Sequence, residues 1–376
     1  MSVSKALGAL ALLALASACV PPPRTPPPSS AKPNFIPAPP RTAVPRPVPP
    51  RIVAPPRPQL DPEASGRLTP PPALFPALRS LAEGFNGKVG IAVMRTDGNW
   101  LFGHLAETHF PQQSVSKLWV ALTVLDGVDA GKIKLDQNVL VTRDDLTLFN
   151  QPIAQLVGDD GYQTTVSDLL SRAMTKSDNT ANDRLLKLVG GPEKVRATLA
   201  TKGLGNIRFG PGERALQSKA AGLVWQQSYA TGNAFKAARA KLTEEARLKA
   251  LNNYLETLPD GATPQGIVTA LARLKRGELL SERSTRLMLS LMDEAITGHK
   301  RVRGGVPFGW QYGHKTGTGQ ELAGRSTGYN DVGIMTAPDG VSYVIAVMIA
   351  ETRVGIPTRQ AMMQGVSAAI AANHQR

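Results

Sequence analysis

Residues 110–125 read FPQQSVSKLWVALTVL. Ser114 and Lys117 stand three positions apart at the mouth of an apolar run. Read as a helix, the run puts Leu118, Ala121, Leu122 and Leu125 on one face, which predicts a helix packed deep in a domain. The same spacing sets the serine and lysine side chains side by side. A serine hydroxyl is a weak nucleophile until a base takes its proton. A lysine withdrawn from water and set among other cations holds its own proton loosely and can serve as that base. The spacing alone decides little, because Ser29 and Lys32 repeat it inside a proline tail where it carries no meaning.

Two further segments change the weight of the first. KSDNTA places Ser177, Asp178 and Asn179 at a junction between two helical patterns, TTVSDLLSRAMTKS and NTANDRLLKLVG. HKTGTG places Lys315, Thr316 and Gly317 on a predicted strand. Each has a bland reading: Ser-Asp-Asn is helix-cap composition, and Lys-Thr-Gly is an ordinary strand end. Together, in this chain order, they form a motif set known from serine acyl-transfer enzymes.

On these motifs, residues 74–376 resemble the serine β-lactamase and penicillin-binding superfamily, and most closely its class A branch. The resemblance implies that Ser114 is acylated by a strained lactam carbonyl and that Lys117 shares in activating it. It implies that Ser177 relays a proton to the leaving nitrogen and that Asn179 binds the substrate's amide. Asp178 would orient the turn, and Lys315 and Thr316 would hold the substrate carboxylate beside Gly317. The backbone N–H groups of Ser114 and Thr318 would form the oxyanion hole. Arg325, ten residues past Lys315, matches an extra cation near that carboxylate; its other reading is a solvated strand-end arginine.

GPGERALQ adds Glu213, thirty-six residues past Ser177. Glu213-Arg-Ala-Leu-Gln217 resembles the class A Glu-x-x-Leu-Asn, with Gln217 in place of the asparagine. The resemblance makes Glu213 the base that activates a water held between itself, Ser114 and Gln217. Without that base the acyl-enzyme would persist, as in a penicillin-binding D-alanyl-D-alanine peptidase, which is the alternative reading. A non-catalytic cell-envelope binding protein on the same fold is a third. Residues 218–262 exceed what the resemblance accounts for and read as an added helical segment, able to cover the site, to reshape substrate choice or to pack outside.

The fold class follows from the order of patterns. KVGIAVMRT and WLFGH read as strands near the start of the folded part, with ALFPALRSLAEGF as a helix before them. FGWQYGHKTGTG, RSTGYNDVGIMTAP and VSYVIAVMIAE read as three more strands, and a helix with Pro357 in its first turn closes the chain. From about residue 127 to 300 the pattern is mainly helical. The expectation is therefore an α+β fold (α/β in the broad sense), with one antiparallel sheet built from both chain ends, flanking helices and an inserted all-helical lobe.

The rest bounds class and location. Residues 1–19, MSVSKALGALALLALASAC, read as an export signal with a lipobox-like end. Cys19, the only cysteine of the 376 residues, is then a lipidation candidate; plain cleavage near Ala18 is the other reading. Residues 20–72 form a proline-rich, semi-rigid linker that cannot bury a core: 22 of the 31 prolines fall between Val20 and Pro76. Residues 73–376 form the catalytic domain. Of the formal charge of +14, the first 73 residues hold +6, with arginines set singly among prolines. That suits anionic lipid or wall polymer and not nucleic acid. His104, His109, His299, His314 and His374 show no metal-ligand spacing, so neither metal nor cofactor is expected. Phe149 has two readings, an aromatic beside the substrate entrance or a loop aromatic. Gln113 and Gly319 stand where some carbapenem-hydrolysing members of the family carry a disulfide beside the nucleophile, so the resemblance makes carbapenems the less expected substrates. The expectation is an exported, periplasmic, membrane-anchored monomer acting on penicillins or cephalosporins.

Overall fold

The computed structural model describes residues 69–98 and 100–375. Its centre is a five-stranded antiparallel sheet in the order Leu101–His104, Lys88–Arg95, Ser342–Glu351, Tyr329–Thr336, Gln311–Thr318. Val89 pairs with Ile349, and Lys315 pairs with Val332. The two chain ends thus share one sheet.

Strand Ser342–Glu351 is in the middle and is buried on both faces. Its side chains alternate between two cores, as a two-residue period requires. Tyr343, Ile345, Val347 and Ile349 pack with Leu74, Leu78, Met363 and Ile370 from the terminal helices Leu74–Glu83 and Ile356–Ala372. Val344, Ala346 and Met348 face the other way. They join Leu118, Leu122 and Ile267 from the helices Lys117–Asp129 and Pro264–Lys275.

The helical lobe holds the helices Val166–Thr175, Asn179–Val189, Pro192–Thr201 and Glu282–Asp293. Their starts are set by local chemistry. The Thr165 hydroxyl accepts from Asp168 N, and the Asp178 carboxylate accepts from Ala181 N at 2.9 Å. Gly190, at φ 104°, ends helix Asn179–Val189 in the left-handed conformation.

Three expectations are corrected. The opening stretch starts not as an α-helix but as a 3₁₀ turn, Gln113–Ser116, which hands over to the helix Lys117–Asp129. Every residue from Lys117 to Leu125 is buried, so the helix has no single apolar face. The helices Val166–Thr175, Asn179–Val189, Pro192–Thr201 and Glu282–Asp293 all pack against it, so apolar contact is needed around its circumference. Second, the region read as mainly helical holds a small hairpin, Asn138–Val141 with Tyr162–Thr165; four-residue strands give too short an alternation to register against the surrounding helical pattern. Third, residues 218–262, read as an added helical segment, are helical only in part. Residues 218–220 complete the helix Glu213–Ala220. A 3₁₀ turn Gln227–Ala230, the helices Ala234–Ala240 and Glu244–Thr257, and a short strand Gly261–Ala262 follow.

The signal stretch, Cys19 and the linker up to residue 68 lie outside the described residues. Among the described residues no helix is long and apolar enough to cross a membrane.

Candidate active site

The 3₁₀ turn delivers Ser114 to the edge of a cavity of about 600 Å³. Glu213, Gln217, Ser177, Asn179, Thr316 and Thr318 line the same cavity. All three motifs and the glutamate therefore meet in one place, although the chain carries them as far apart as positions 114 and 318.

Lys117 is the hub. It is wholly buried, and its Nζ donates to Ser114 Oγ at 2.9 Å. The same Nζ is ion-paired with Glu213 Oε1, itself buried. An ammonium at this depth is stable only with an anion against it, and Glu213 supplies that anion. The other carboxylate oxygen, Glu213 Oε2, accepts from Gln217 Nε2 at 3.3 Å.

Gln217 Nε2 also donates to Gln113 Oε1 at 3.0 Å. Gln113 continues the chain inward. Its Nε2 donates to the Tyr254 hydroxyl at 2.6 Å, and its backbone N–H donates to Asp260 Oδ2 at 2.9 Å. Tyr254 O–H donates to Asp260 Oδ1 at 3.0 Å. Gln113 sits at φ 53°, a region that residues other than glycine rarely adopt. This network, half of it from the added segment, holds the residue beside the nucleophile in that conformation. Burial pushes the Asp260 carboxyl up to about 6, against hydrogen bonds that pull it down.

Asp183 was not among the expected site residues. It is half-buried beneath the start of the helix Glu213–Ala220, where its carboxylate accepts from Glu213 N at 3.1 Å and Arg214 N at 3.3 Å. Burial, with the neighbouring Glu213 charge, pushes its carboxyl up to about 6 from the usual 3.8. The native state thus holds this proton more tightly than the unfolded chain does. Its contribution to stability falls as the pH rises from about 4 to about 6 and is flat above. Relative to Asp183→Asn, the wild type is expected to lose about 2 kcal/mol between pH 4 and pH 7, read from urea midpoints. Parallel stability curves would place that proton elsewhere.

On the far wall, Ser177 stands at φ 57°, and its Oγ accepts from Lys315 Nζ at 2.9 Å. Lys315 is wholly buried; burial and then the nearby Lys117 ammonium hold it well below the usual lysine range. Asp178 faces away from the cavity, accepting from Ala181 N and from Ile153 N at 2.7 Å. Asn179 donates through Nδ2 to the Leu148 carbonyl at 2.8 Å, while its Oδ1 is buried without a partner. Thr316 Oγ1 lies 2.8 Å from Thr297 Oγ1. Gly317 has no room for a side chain: a Cβ there would collide with the Gln112 carbonyl oxygen in the turn that carries Ser114.

Arg325 is a correction. It does not line the cavity. It reaches Glu351 at 3.3 Å and Asn252 at 2.5 Å, because the small hairpin Glu321–Leu322 with Arg325–Ser326 turns it to the outer side. Arg301 stands at the cavity instead. Its Nη2 donates to Thr318 Oγ1 at 2.6 Å, and its Nη1 donates to the carbonyls of Gly317 and Asn330. The guanidinium lies 3.8 Å from the Tyr329 ring centroid. Nothing in the loop sequence around Arg301 signals this position; only the contact with strand Gln311–Thr318 does.

Comparison with known proteins agrees with this geometry. A sequence model described as the β-lactamase enzyme family matches residues 73–374. The extended-spectrum β-lactamase PER-1 of Pseudomonas aeruginosa is 29% identical over 298 residues, which are 79% of this chain and 85% of that one. A crystal structure of a β-lactamase from Chitinophaga pinensis superposes with a TM-score of 0.65 at 27% identity, covering 80% of this chain and all of the other. An ancestral class A β-lactamase gives 0.63 at 27% identity, over 80% of this chain and 99% of that one. With a lysine-bridged serine and glutamate at the base of its cavity and a match over nearly all its described residues, the chain belongs to the β-lactamase enzyme family, on its serine, class A side.

Proposed function

We propose that this protein hydrolyses the amide bond of penicillins or cephalosporins through an acyl-enzyme on Ser114. The observation that carries the reading is the contact of one buried lysine, Lys117, with both Ser114 Oγ and Glu213. In acylation the Ser114 proton passes to the Lys117–Glu213 pair as Oγ attacks the lactam carbonyl. The oxyanion lies between the backbone N–H groups of Ser114 and Thr318. Collapse of the tetrahedral species breaks the C–N bond; Ser177, hydrogen-bonded to Lys315 Nζ, hands the leaving nitrogen its proton and receives in return the proton that the Lys117–Glu213 pair took from Ser114, so that Glu213 is again a free base. Thr316, Thr318 and Lys315 hold the substrate carboxylate, and Arg301 fills the role first expected of Arg325. In deacylation Glu213 takes a proton from a water placed by the Gln217 amide. That water attacks the ester carbonyl, and Ser114 Oγ leaves with a proton returned to it.

The peptidase alternative needs a site in which nothing activates water. The burial of Glu213 against Lys117 and Gln217 weighs against it, and the complete set of polar contacts weighs against a merely binding role. Cys19 and the proline-rich residues 20–72 support an exported, periplasmic protein whose catalytic domain, 73–376, is held off the membrane by a lipid-anchored tether.

The test is intact mass against time for the full-length protein mixed with excess penicillin. A transient adduct on Ser114, with the drug consumed many times over, is expected. An adduct that persists for hours would favour the peptidase branch.

A further inference from the structure

Residues 221–240 reach the 143–151 segment, whose Phe149 and Asn150 line the active-site cavity. Hydrogen bonds tie the segments together. Gln227 Nε2 donates to the Arg143 carbonyl at 2.7 Å, and Gln151 Nε2 donates to the Ala230 carbonyl at 2.7 Å. Between these ties runs a series of edge-on rings. Trp225 meets Tyr229 at 6.2 Å between centroids, and Tyr229 meets Phe235 at 5.8 Å. The series ends on Phe149, 5.4 Å from Phe235 with the planes at 87°.

The last two rings differ in exposure. Phe235 is buried among Leu148 and Ala221, whereas Phe149 is 51% exposed. Phe149 also sits at φ 63°, a backbone region that a bulky residue adopts only when its surroundings hold it there. One part of its ring is in contact with Phe235, and the rest is open to the cavity.

Asn179 belongs to the same wall. Its N–H donates to the Asn150 carbonyl at 2.8 Å and its Nδ2 donates to the Leu148 carbonyl. These two hydrogen bonds hold the 148–150 backbone that carries Phe149.

We propose that residues 221–240 set substrate choice through Phe235, which positions Phe149 to receive the aryl ring of an arylacylamino side chain. The proposal rests on the lactam-hydrolase reading above. Phe235 is a positioning residue: it touches Phe149, not the substrate. Two flat rings meeting edge to face gain from geometry as well as from burial, so a support that fixes the angle of Phe149 acts on binding of the side chain and leaves the reacting carbonyl alone.

The test compares two substrates on the full-length protein. Benzylpenicillin carries a phenylacetylamino side chain; 6-aminopenicillanic acid has the same bicycle with a bare amine. Phe235→Leu keeps apolar volume in the buried position and removes the ring. It is expected to lower kcat/KM for benzylpenicillin about five- to tenfold, through KM, and to change that for 6-aminopenicillanic acid by no more than about twofold. Tyr229→Leu, one ring further along, gives the same split at smaller size and decides the matter if Phe235→Leu does not fold. Equal losses on both substrates, or no loss on either, overturn the proposal and leave the ring series as packing. A wild-type protein that turns over neither penicillin is a separate outcome: it removes the lactam-hydrolase reading, and this proposal with it.

Discussion

Glu213→Gln is expected to accumulate as an acyl-enzyme. The substitution keeps the length of the side chain and an oxygen able to accept from Lys117 Nζ, so the link from Lys117 to Ser114 at 2.9 Å survives. What it removes is the carboxylate that meets both Lys117 and the Gln217 amide. Acylation loses only the Glu213 half of the pair proposed to take the Ser114 proton and keeps Ser114, Lys117, the proposed oxyanion donors and Lys315. Deacylation loses its base. A positioned base contributes about 10²–10⁴ in rate, and the second step is expected to slow by about 10³ on that scale. Intact mass after seconds of mixing shows the consequence directly: nearly all the variant carries one penicillin, while wild-type protein carries little. Release of the adduct within about tenfold of the wild-type rate would take Glu213 out of the base role.

Gly317→Ala is expected to be nearly as damaging to activity, by another route. A Cβ at 317 would drive into the carbonyl oxygen of Gln112 and press on Gln113 Cβ. The first of these is backbone and cannot rotate aside, so strand Gln311–Thr318 or the 3₁₀ turn must move. Overpacking of this kind costs about 1–3 kcal/mol in stability. The catalytic cost is larger, because the two halves pushed apart each supply one donor to the oxyanion. Loss of one such donor costs about 10²–10³ in kcat. The variant is expected to fold, with a lowered urea midpoint, and to acylate about a hundredfold more slowly. An unchanged acylation rate would mean that the strand and the turn can separate without disturbing the carbonyl site.

These two sites show which parts of the molecule could be read from the sequence. Ser114, Lys117, Ser177, Asn179, Lys315 and Glu213 were legible because each sits in a short motif whose chemistry constrains its neighbours, and because the chain order of the motifs adds information. Strand Ser342–Glu351 was legible because a long apolar run between turns has few other readings. Arg301, Asp183, Tyr254 and Asp260 were not. Each acts through one or two contacts made far away in the chain, such as Asp260 on the backbone of Gln113, and local sequence records nothing of those. Arg325 failed for a related reason: its distance from Lys315 along the chain fixes the strand it follows, not the side to which a small hairpin turns it. The opening helix shows the same limit. An apolar face was visible, but the burial of its whole circumference depends on what packs behind it.

The sheet imposes an order on folding. Strand Lys88–Arg95 can pair with Ser342–Glu351 only after nearly all of the chain between them exists. The helical lobe, made of local contacts, can form while that strand still waits. Closing so long a loop is slow because its entropy is lost before any pairing repays it. Synthesis therefore passes through a stage with helices formed and strand Lys88–Arg95 paired on one edge only, with Leu101–His104. A chain whose last strand is missing keeps two separate pairs, Lys88–Arg95 with Leu101–His104 and Gln311–Thr318 with Tyr329–Thr336, and nothing to join them.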